Sequence, residues 1–302
     1  MIRERLSELE LVEAQMTDAR GEELEQLKAR RAALLSSFES LTAEEKVILS
    51  RLPRRPKTSQ FISALFTDFF AQRGDRQCRE DTSVLGGSAL FHGRPVTVIG
   101  HRKGATIEEN MAYNFGMPGP EGYRKAQRLM KQAEKFGRPI ITFLDTPGAY
   151  PGMQAEERGQ GEAIAASLAL MSRLRVPVIC VVTGEGNSGG ALAMGLGDRV
   201  LMLENAYYSV VSPEACATIL WKDAKKRGEA CEAMKLTAQD LERFGVIDGV
   251  IPEALGGAQR DPEALYAALD KALQAALAEL DGMDGDALVA ARYQKYRTIG
   301  LA

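Results

Sequence analysis

Reactive side chains are scarce in this chain: two histidines, one tryptophan and four cysteines among 302 residues. Cys78, Cys180, Cys216 and Cys231 form no C-x-x-C pair, and two of them sit inside apolar runs. That pattern reads as a reduced, cytoplasmic protein without a zinc site of its own. The longest apolar stretch, Ala163 to Met171, is far short of a membrane span. Met1-Ile-Arg-Glu-Arg-Leu-Ser-Glu has acids from its fourth position and no apolar core, so no secretory signal is expected. A net charge of -3 gives no bulk attraction to nucleic acid. There is no G-x-x-x-x-G-K-S/T, which excludes a P-loop nucleotide hydrolase even though Asp145-Thr-Pro-Gly148 resembles a GTPase magnesium loop. No internal repeat and no low-complexity segment is visible.

What the chain does have is glycine, concentrated after two apolar runs, 139–144 and 176–182. Both runs are short, unbroken by alternation and rich in β-branched residues, as strands buried on both faces of a parallel sheet are. Each opens into a glycine-rich loop, Asp145-Thr-Pro-Gly-Ala-Tyr-Pro-Gly152 and Gly184-Glu-Gly-Asn-Ser-Gly-Gly190. Loops at the carboxyl ends of such strands are where open α/β sheets bind ligands. The intervening residues, Gln154 to Arg175, read as one helix with acidic groups near its positive end.

Along the rest of the chain, apolar spacing predicts two amphipathic helices within residues 2–41, forming an arm. This arm either packs on its own domain or clasps a partner subunit. A third helix starts at Thr42 with Glu45 three residues on, a capping box. Arg51-Leu-Pro-Arg-Arg-Pro-Lys57 then reads as a hinge whose basic cluster is a solvated linker. Thr58 to Phe70 has helical periodicity, and Val84 to His101 reads as a hairpin turning at Gly93. A helix opened by Pro118-Gly-Pro120 has Tyr123, Ala126, Met130 and Ala133 on its apolar face; Arg124, Lys125, Arg128 and Lys131 are expected to be wet. Strands near 200–203 and 207–211 follow, then a helix led by Ser212-Pro213, a helix over 237–244, a strand over 246–251, a long helix capped by Asp261, and a last helix to Arg297.

Two motifs compete for the second loop. Gly184-x-Gly186-x-x-Gly189 is a literal dinucleotide fingerprint, so a nicotinamide or flavin enzyme stays a rival reading. Against it, only about ten residues separate Gly189 from the next strand, which stunts the crossover helix. Gly186-x-Ser188-x-Gly190 matches a hydrolase nucleophile elbow, but His92 and His101 both precede the serine, so Ser188 reads as a helix cap. What remains is two backbone-rich strand ends. Paired N–H groups near a helix start can hold an oxyanion, which points to chemistry through an enolate whose base comes from substrate or cofactor.

Several longer motifs occur together: Gly100-His-Arg-Lys-Gly104, Asn114-Phe-Gly-Met117, Pro120-Glu-Gly-Tyr-Arg-Lys-Ala126, both glycine loops, Ala155-Glu-Glu-Arg-Gly-Gln160, Tyr208-Ser-Val-Val-Ser-Pro-Glu214, Ile219-Leu-Trp-Lys222 and Pro252-Glu-Ala-Leu-Gly-Gly-Ala258. In these the chain resembles the carboxyltransferase alpha subunits of bacterial acetyl-CoA carboxylase. The resemblance implies an α/β fold of the crotonase/ClpP-like type, a spiral of ββα units, over residues 53–302, with residues 1–52 as the helical arm. It implies an α2β2 heterotetramer with a beta subunit that carries the zinc ribbon, a biotin carboxyl carrier protein, and a biotin carboxylase that consumes the ATP. It also implies biotin carried on that separate protein, no metal or nucleotide on this chain, and no nucleic acid or membrane. Carboxybiotin would release CO2, and the acetyl-CoA enolate would take it up to give malonyl-CoA, the first committed step of fatty acid biosynthesis. By the same resemblance Gly189 and Gly190 are the oxyanion pair, and Gly148, Ala149, Tyr150, Gly186 and Asn187 line the carboxybiotin pocket.

The chain departs from the pattern at Asn187, where a third glycine is usual and a left-handed residue is expected. It departs again at Ala215 and at the acidic Glu108 and Glu109. A carboxyltransferase subunit, a dinucleotide oxidoreductase and a non-catalytic scaffold all remain open on these residues.

Overall fold

Leu6, Leu9 and Val12 recur at helical spacing, and the chain accordingly opens with a helical pair, α1 (Ile2–Gln15) and α2 (Gly21–Ser36). The protein is described here from a computed structural model, over residues 2–300. Ile2, Leu6 and Leu9 pack with Phe38 and with Leu49 of α3 (Ala43–Ser50), a small core separate from the main one. Glu13 of α1 is 2.7 Å from Arg260, so α1 packs on its own chain, whereas no residue of α2 is buried. At the start of α3 the capping box is complete: Thr42 Oγ1 accepts from Glu45 N–H at 3.2 Å, and Glu45 Oε2 accepts from Thr42 N–H at 3.1 Å. Thr42→Ala should lower unfolding stability by about 1 kcal/mol, visible as a fall of about 3 °C in Tm.

Helix α4 (Thr58–Leu65) is shorter than its periodicity predicted. The chain leaves it at Phe66 and becomes strand β1 (Thr67–Ala71), paired antiparallel with β2 (Val84–Phe91), because the ladder offers those backbone groups partners that a longer helix could not place at the sheet edge. β2 and β3 (Arg94–His101) form the expected hairpin. After α5 (Ile107–Ala112) and α6 (Pro120–Lys135) come β4 (Ile140–Thr146), α7 (Met153–Glu157), α8 (Gln160–Met171) and β5 (Val178–Asn187). The single helix expected over 154–175 is thus two, broken where Gly159 takes φ +83°.

Every residue of β4 and β5 is buried, as strands covered on both faces must be. After α9 (Ser188–Leu192) follow β6 (Arg199–Leu203), β7 (Tyr207–Ser209), α10 (Pro213–Trp221), α11 (Arg227–Met234), α12 (Ala238–Arg243), β8 (Gly249–Ile251), α13 (Pro262–Leu280) and α14 (Gly285–Thr298). The sheet runs β1-β2-β3-β4-β5-β6-β8, parallel from β3 onward. β5 is long enough to change partners: residues 179–182 pair with β6, and residues 185–187 pair with β7. That switch splays the sheet beside the second glycine loop. Leu265, Leu269, Leu273, Leu277 and Leu280 of α13 bury the stripe read from sequence.

Candidate functional site

β4 and β5 are neighbours, with Thr146 opposite Gly186, so both glycine loops emerge from one sheet edge. They touch. A Cβ built on Gly190 would lie 2.3 Å from Ala149 N and 2.5 Å from the Gly148 carbonyl carbon. Tyr123, fully buried on α6, donates its hydroxyl to Gly190 O at 3.2 Å from below. Gly189, by contrast, is half-exposed and has 3.4 Å of clearance to Ile164.

The first-turn N–H groups of α9 have no intrahelical acceptors, being the first of the helix. Ser188 and Gly189 open on a cavity of about 680 Å³ whose walls include Leu192, Tyr208, Val210 and Met234. The other predicted residues are placed differently. Gly148 N–H is taken by Thr146 Oγ1 at 3.0 Å, so its amide turns into its own loop and is not an open donor. Tyr150 faces a second cavity, with Arg79, Glu80 and Arg158. Gly186 lies under Tyr208, whose Cδ2 would be 2.8 Å from an added Cβ.

Asn187 corrects two expectations. It is extended, at φ -110°, and it is Ser188 that takes the left-handed turn, at φ +60°. The reversal falls one residue late because β5 continues through Asn187 to pair with Ser209 of β7. Asn187 therefore occupies the position before the helix, and Ser188 is the first helical residue rather than its cap. The Asn187 side chain is buried and spent: it donates to Tyr207 OH at 2.7 Å and accepts from Ser209 Oγ at 2.9 Å. Such a residue shapes the loop from beneath.

Below the loops lies a charged network that the sequence reading missed. Lys103 Nζ, just past β3, is 2.8 Å from Asp145 Oδ1 and 2.8 Å from Glu185 Oε1. Glu185 Oε2 accepts from Arg51 Nε at 2.9 Å and from Tyr207 OH at 2.8 Å, and Arg51 reaches Glu214 at 2.7 Å. Arg55 is buried against Glu253. The basic hinge is therefore only partly a solvated linker: Arg51 and Arg55 are drawn inward by Glu185, Glu214 and Glu253, while Arg54 stays exposed beside Glu10. Arg124 and Lys125 of α6 are likewise not simply wet, since Lys125 is buried on Val84 O at 2.6 Å and Arg124 bonds Asp75 at 3.1 Å. In the sequence Lys103, Asp145 and Glu185 each read as an ordinary surface charge, and only the order β3-β4-β5 in the sheet brings them together.

Burial alone would raise the Glu185 pKa, but Lys103 and Arg51 outweigh it and bring it down to about 2. Burial pushes His101 down to about 4, so it is neutral. Both shifts are downward from the unfolded values of about 6.5 and 4.3. Each therefore contributes stability that is present at neutral pH and lost as pH falls. Acid destabilisation should begin below about pH 6.5, and His101→Gln should remove the part between about pH 6.5 and 4, on the order of 2 to 3 kcal/mol by the linkage constant. Urea unfolding from pH 7 to 4 checks it.

Among the described residues no group of three or more His, Cys, Asp or Glu is placed to hold a metal ion, and no helix is long and apolar enough to cross a membrane. Helix α9 has five residues, far short of the crossover helix behind a dinucleotide fingerprint.

A family model described as acetyl co-enzyme A carboxylase carboxyltransferase-like matches residues 1–300. The acetyl-coenzyme A carboxylase carboxyl transferase subunit alpha of Geobacillus sp. (strain WCH70) is 52% identical over 301 residues, covering 99% of this chain and 92% of that one. The subunit of the same name from Listeria monocytogenes serotype 4b (strain F2365) is 52% identical over 280 residues, 92% of this chain and 88% of that one. Among solved structures, a Pseudomonas malonate decarboxylase hetero-tetramer in complex with coenzyme A matches at TM-score 0.62 and 19% identity, covering 77% of this chain and 90% of that chain. Transcarboxylase 12S with hydrolyzed methylmalonyl-coenzyme A bound matches at 0.61 and 20% identity, over 80% and 45%. At such identities these two speak to the fold alone, and the fold they share with this chain is the α/β crotonase type.

Proposed function

The chain belongs to the acetyl co-enzyme A carboxylase carboxyltransferase-like family, and from that premise we propose that it works as the alpha subunit of a two-component carboxyltransferase, moving a carboxyl group from carrier-borne biotin to acetyl-CoA to form malonyl-CoA. The observation that supports this reading is the seating of Gly190 against Gly148 and Ala149, which fastens the start of α9 to the neighbouring strand's loop. Its effect is to aim the N–H groups of Gly189 and Gly190 from a rigid base, as an oxyanion site requires.

The residues present suit a biotin ring. Leu192 and Val210 give an apolar wall beside the half-exposed Gly189, the combination that a ring with one polar carbonyl needs. When bound, biotin supplies the activated carboxyl group. The chain's own part is then positional: Gly189 and Gly190 steady developing negative charge on an oxygen, Gly148 and Ala149 brace them, Gly186 and Asn187 hold the loop from below, and Tyr150 lies toward the neighbouring rim. In this reading the chain has no general base, and the proton moves between substrate groups.

The partners follow the same premise: a beta subunit in an α2β2 assembly, a biotin carboxyl carrier protein and a biotin carboxylase, in the cytoplasm. Val210, Ile219 and Leu220 leave large apolar groups exposed on and just before α10, as a surface awaiting a subunit does. Residues 1–52 are the arm of this subunit, and the carboxyltransferase domain begins at residue 53. Co-expression with a beta subunit should yield malonyl-CoA from acetyl-CoA when biotinylated carrier, biotin carboxylase, ATP and bicarbonate are added, and the chain alone should yield none. Activity of the isolated chain, or a thermal-shift response to NAD or FAD, would overturn this reading.

A further inference from the structure

The two halves of the site meet above but are joined by charge only below. Asp145 is the next-to-last residue of the strand that leads to Gly148 and Ala149, and Glu185 lies five residues before Gly190. They are close: the Glu185 N–H donates to Asp145 Oδ1 at 3.0 Å, and an added Cβ on Gly184 would lie 2.4 Å from that same oxygen. Their carboxylates share one neighbour, each having an oxygen 2.8 Å from the same ammonium nitrogen, and two such charges repel unless a cation sits between them. Lys103 is that cation, at 2.8 Å from each. Its stem is held in turn, since an added Cβ on Gly116 would lie 2.8 Å from Lys103 Cγ.

We propose that Lys103 is a positioning residue for carboxyl transfer, holding the two glycine-rich loops at their working separation by binding Asp145 of one and Glu185 of the other. This rests on the reading of Gly189 and Gly190 as the oxyanion pair. The Gly190 contact leaves no slack between loops, so a small spreading at their roots becomes a displacement of α9. Lys103 itself stays off the reacting atoms.

The groups facing this pair are known on every side. His101 lies on β3, Lys57 before α4, Arg51 after α3, Tyr207 on β7 and Glu214 on α10. None of them substitutes for Lys103: His101 is buried neutral, Arg51 is already shared between Glu185 and Glu214, and no bond joins Lys57 to either carboxylate among those found. Removing the Lys103 charge thus leaves the Asp145 and Glu185 carboxylates without the cation they share, while Arg51 still holds the other oxygen of Glu185.

The test uses the full chain assembled with its beta subunit. Lys103→Met should lower kcat about 10 to 100-fold at pH 8, the scale of a sub-ångström to 1 Å misplacement. KM for acyl-CoA and for carrier should stay within roughly twofold, as uniform binding is untouched. Lys103→Met with Glu185→Gln should recover part of the lost kcat at pH 8, because it removes the repulsion. Amide hydrogen exchange at residues 147–152 and 186–190 should rise in the single variant relative to wild type at pH 8, and less so in the double. Wild-type kcat in Lys103→Met, absence of rescue by Glu185→Gln, or wild-type exchange in both loops overturns the assignment. Should wild type itself form no malonyl-CoA with its partner, the functional reading fails while the exchange comparison still decides what Lys103 does.

Discussion

Gly190→Ala should reduce kcat by on the order of 100 to 1,000-fold in the assembled enzyme, the cost of losing one oxyanion donor, while Gly189→Ala stays within several-fold of wild type. The two residues differ by one position and by the same methyl group, and the structure separates them. At Gly190 the new carbon would lie 2.3 Å from Ala149 N and 2.5 Å from the Gly148 carbonyl carbon. Those are backbone atoms with no rotamer to escape into. Restoring ordinary contact, at about 3.5 to 4 Å, pushes α9 and the 147–152 loop apart by more than 1 Å. A misplacement of that size costs about 100-fold on its own. At Gly189 the methyl meets Ile164 Cγ2 at 3.4 Å and fits. Both variants keep every backbone N–H, so the comparison separates aim from chemistry. Steady-state malonyl-CoA formation measures it, with size-exclusion chromatography to confirm assembly. Equal loss in both variants, or none in Gly190→Ala, would break the link between loop seating and catalysis.

The parts of the fold that were legible in the sequence are those set by local periodicity. The capping box at Thr42, the leucine stripe of α13 and the apolar runs within β4 and β5 depend on neighbours in sequence, and the structure has them where the pattern put them. Where tertiary pairing decides, periodicity misled. Residues 67–70 carry a helical rhythm but end in a ladder with β2. Asn187 looked like the left-handed position, yet pairing with Ser209 keeps it extended and passes the turn to Ser188. The site divides along the same line. Glycine loops at strand ends announce themselves, whereas Arg51, Lys103, Asp145 and Glu185 come from four separate elements. Each alone reads as an ordinary surface charge, and only the sheet order brings them together.

Arg55→Met should destabilise the chain by about 3 to 5 kcal/mol, the cost of stripping one partner from a buried ion pair. For a chain of this size that corresponds to a fall in Tm on the order of 10 °C. Arg55 is 1% exposed, and it ties three segments together. Its Nε donates to Thr183 O of β5 at 2.7 Å, and its Nη1 donates to Glu253 Oε2 at 2.9 Å. Glu253 also accepts from Asn205 N–H at 3.1 Å, from the Asn205 side chain at 3.0 Å and from Ala258 N–H at 2.9 Å. Because of those extra donors, replacing both members of the pair by apolar residues should not recover full stability, as it does for simpler pairs; Asn205 and Ala258 would be left with unmet N–H groups. The pH dependence has a definite sign. Burial works to raise the Glu253 pKa, Arg55 outweighs it, and the folded pKa lies below its ordinary value. In wild type Glu253 therefore contributes stability at neutral pH that is lost only in acid. In Arg55→Met burial is the larger influence, the folded pKa rises, and the ionised carboxylate becomes a penalty. The deficit against wild type should then shrink as pH is lowered from 8 toward 5. Urea unfolding of both proteins at each pH reads it, and a deficit that is constant or grows toward acid would show that Glu253 keeps its charge without Arg55.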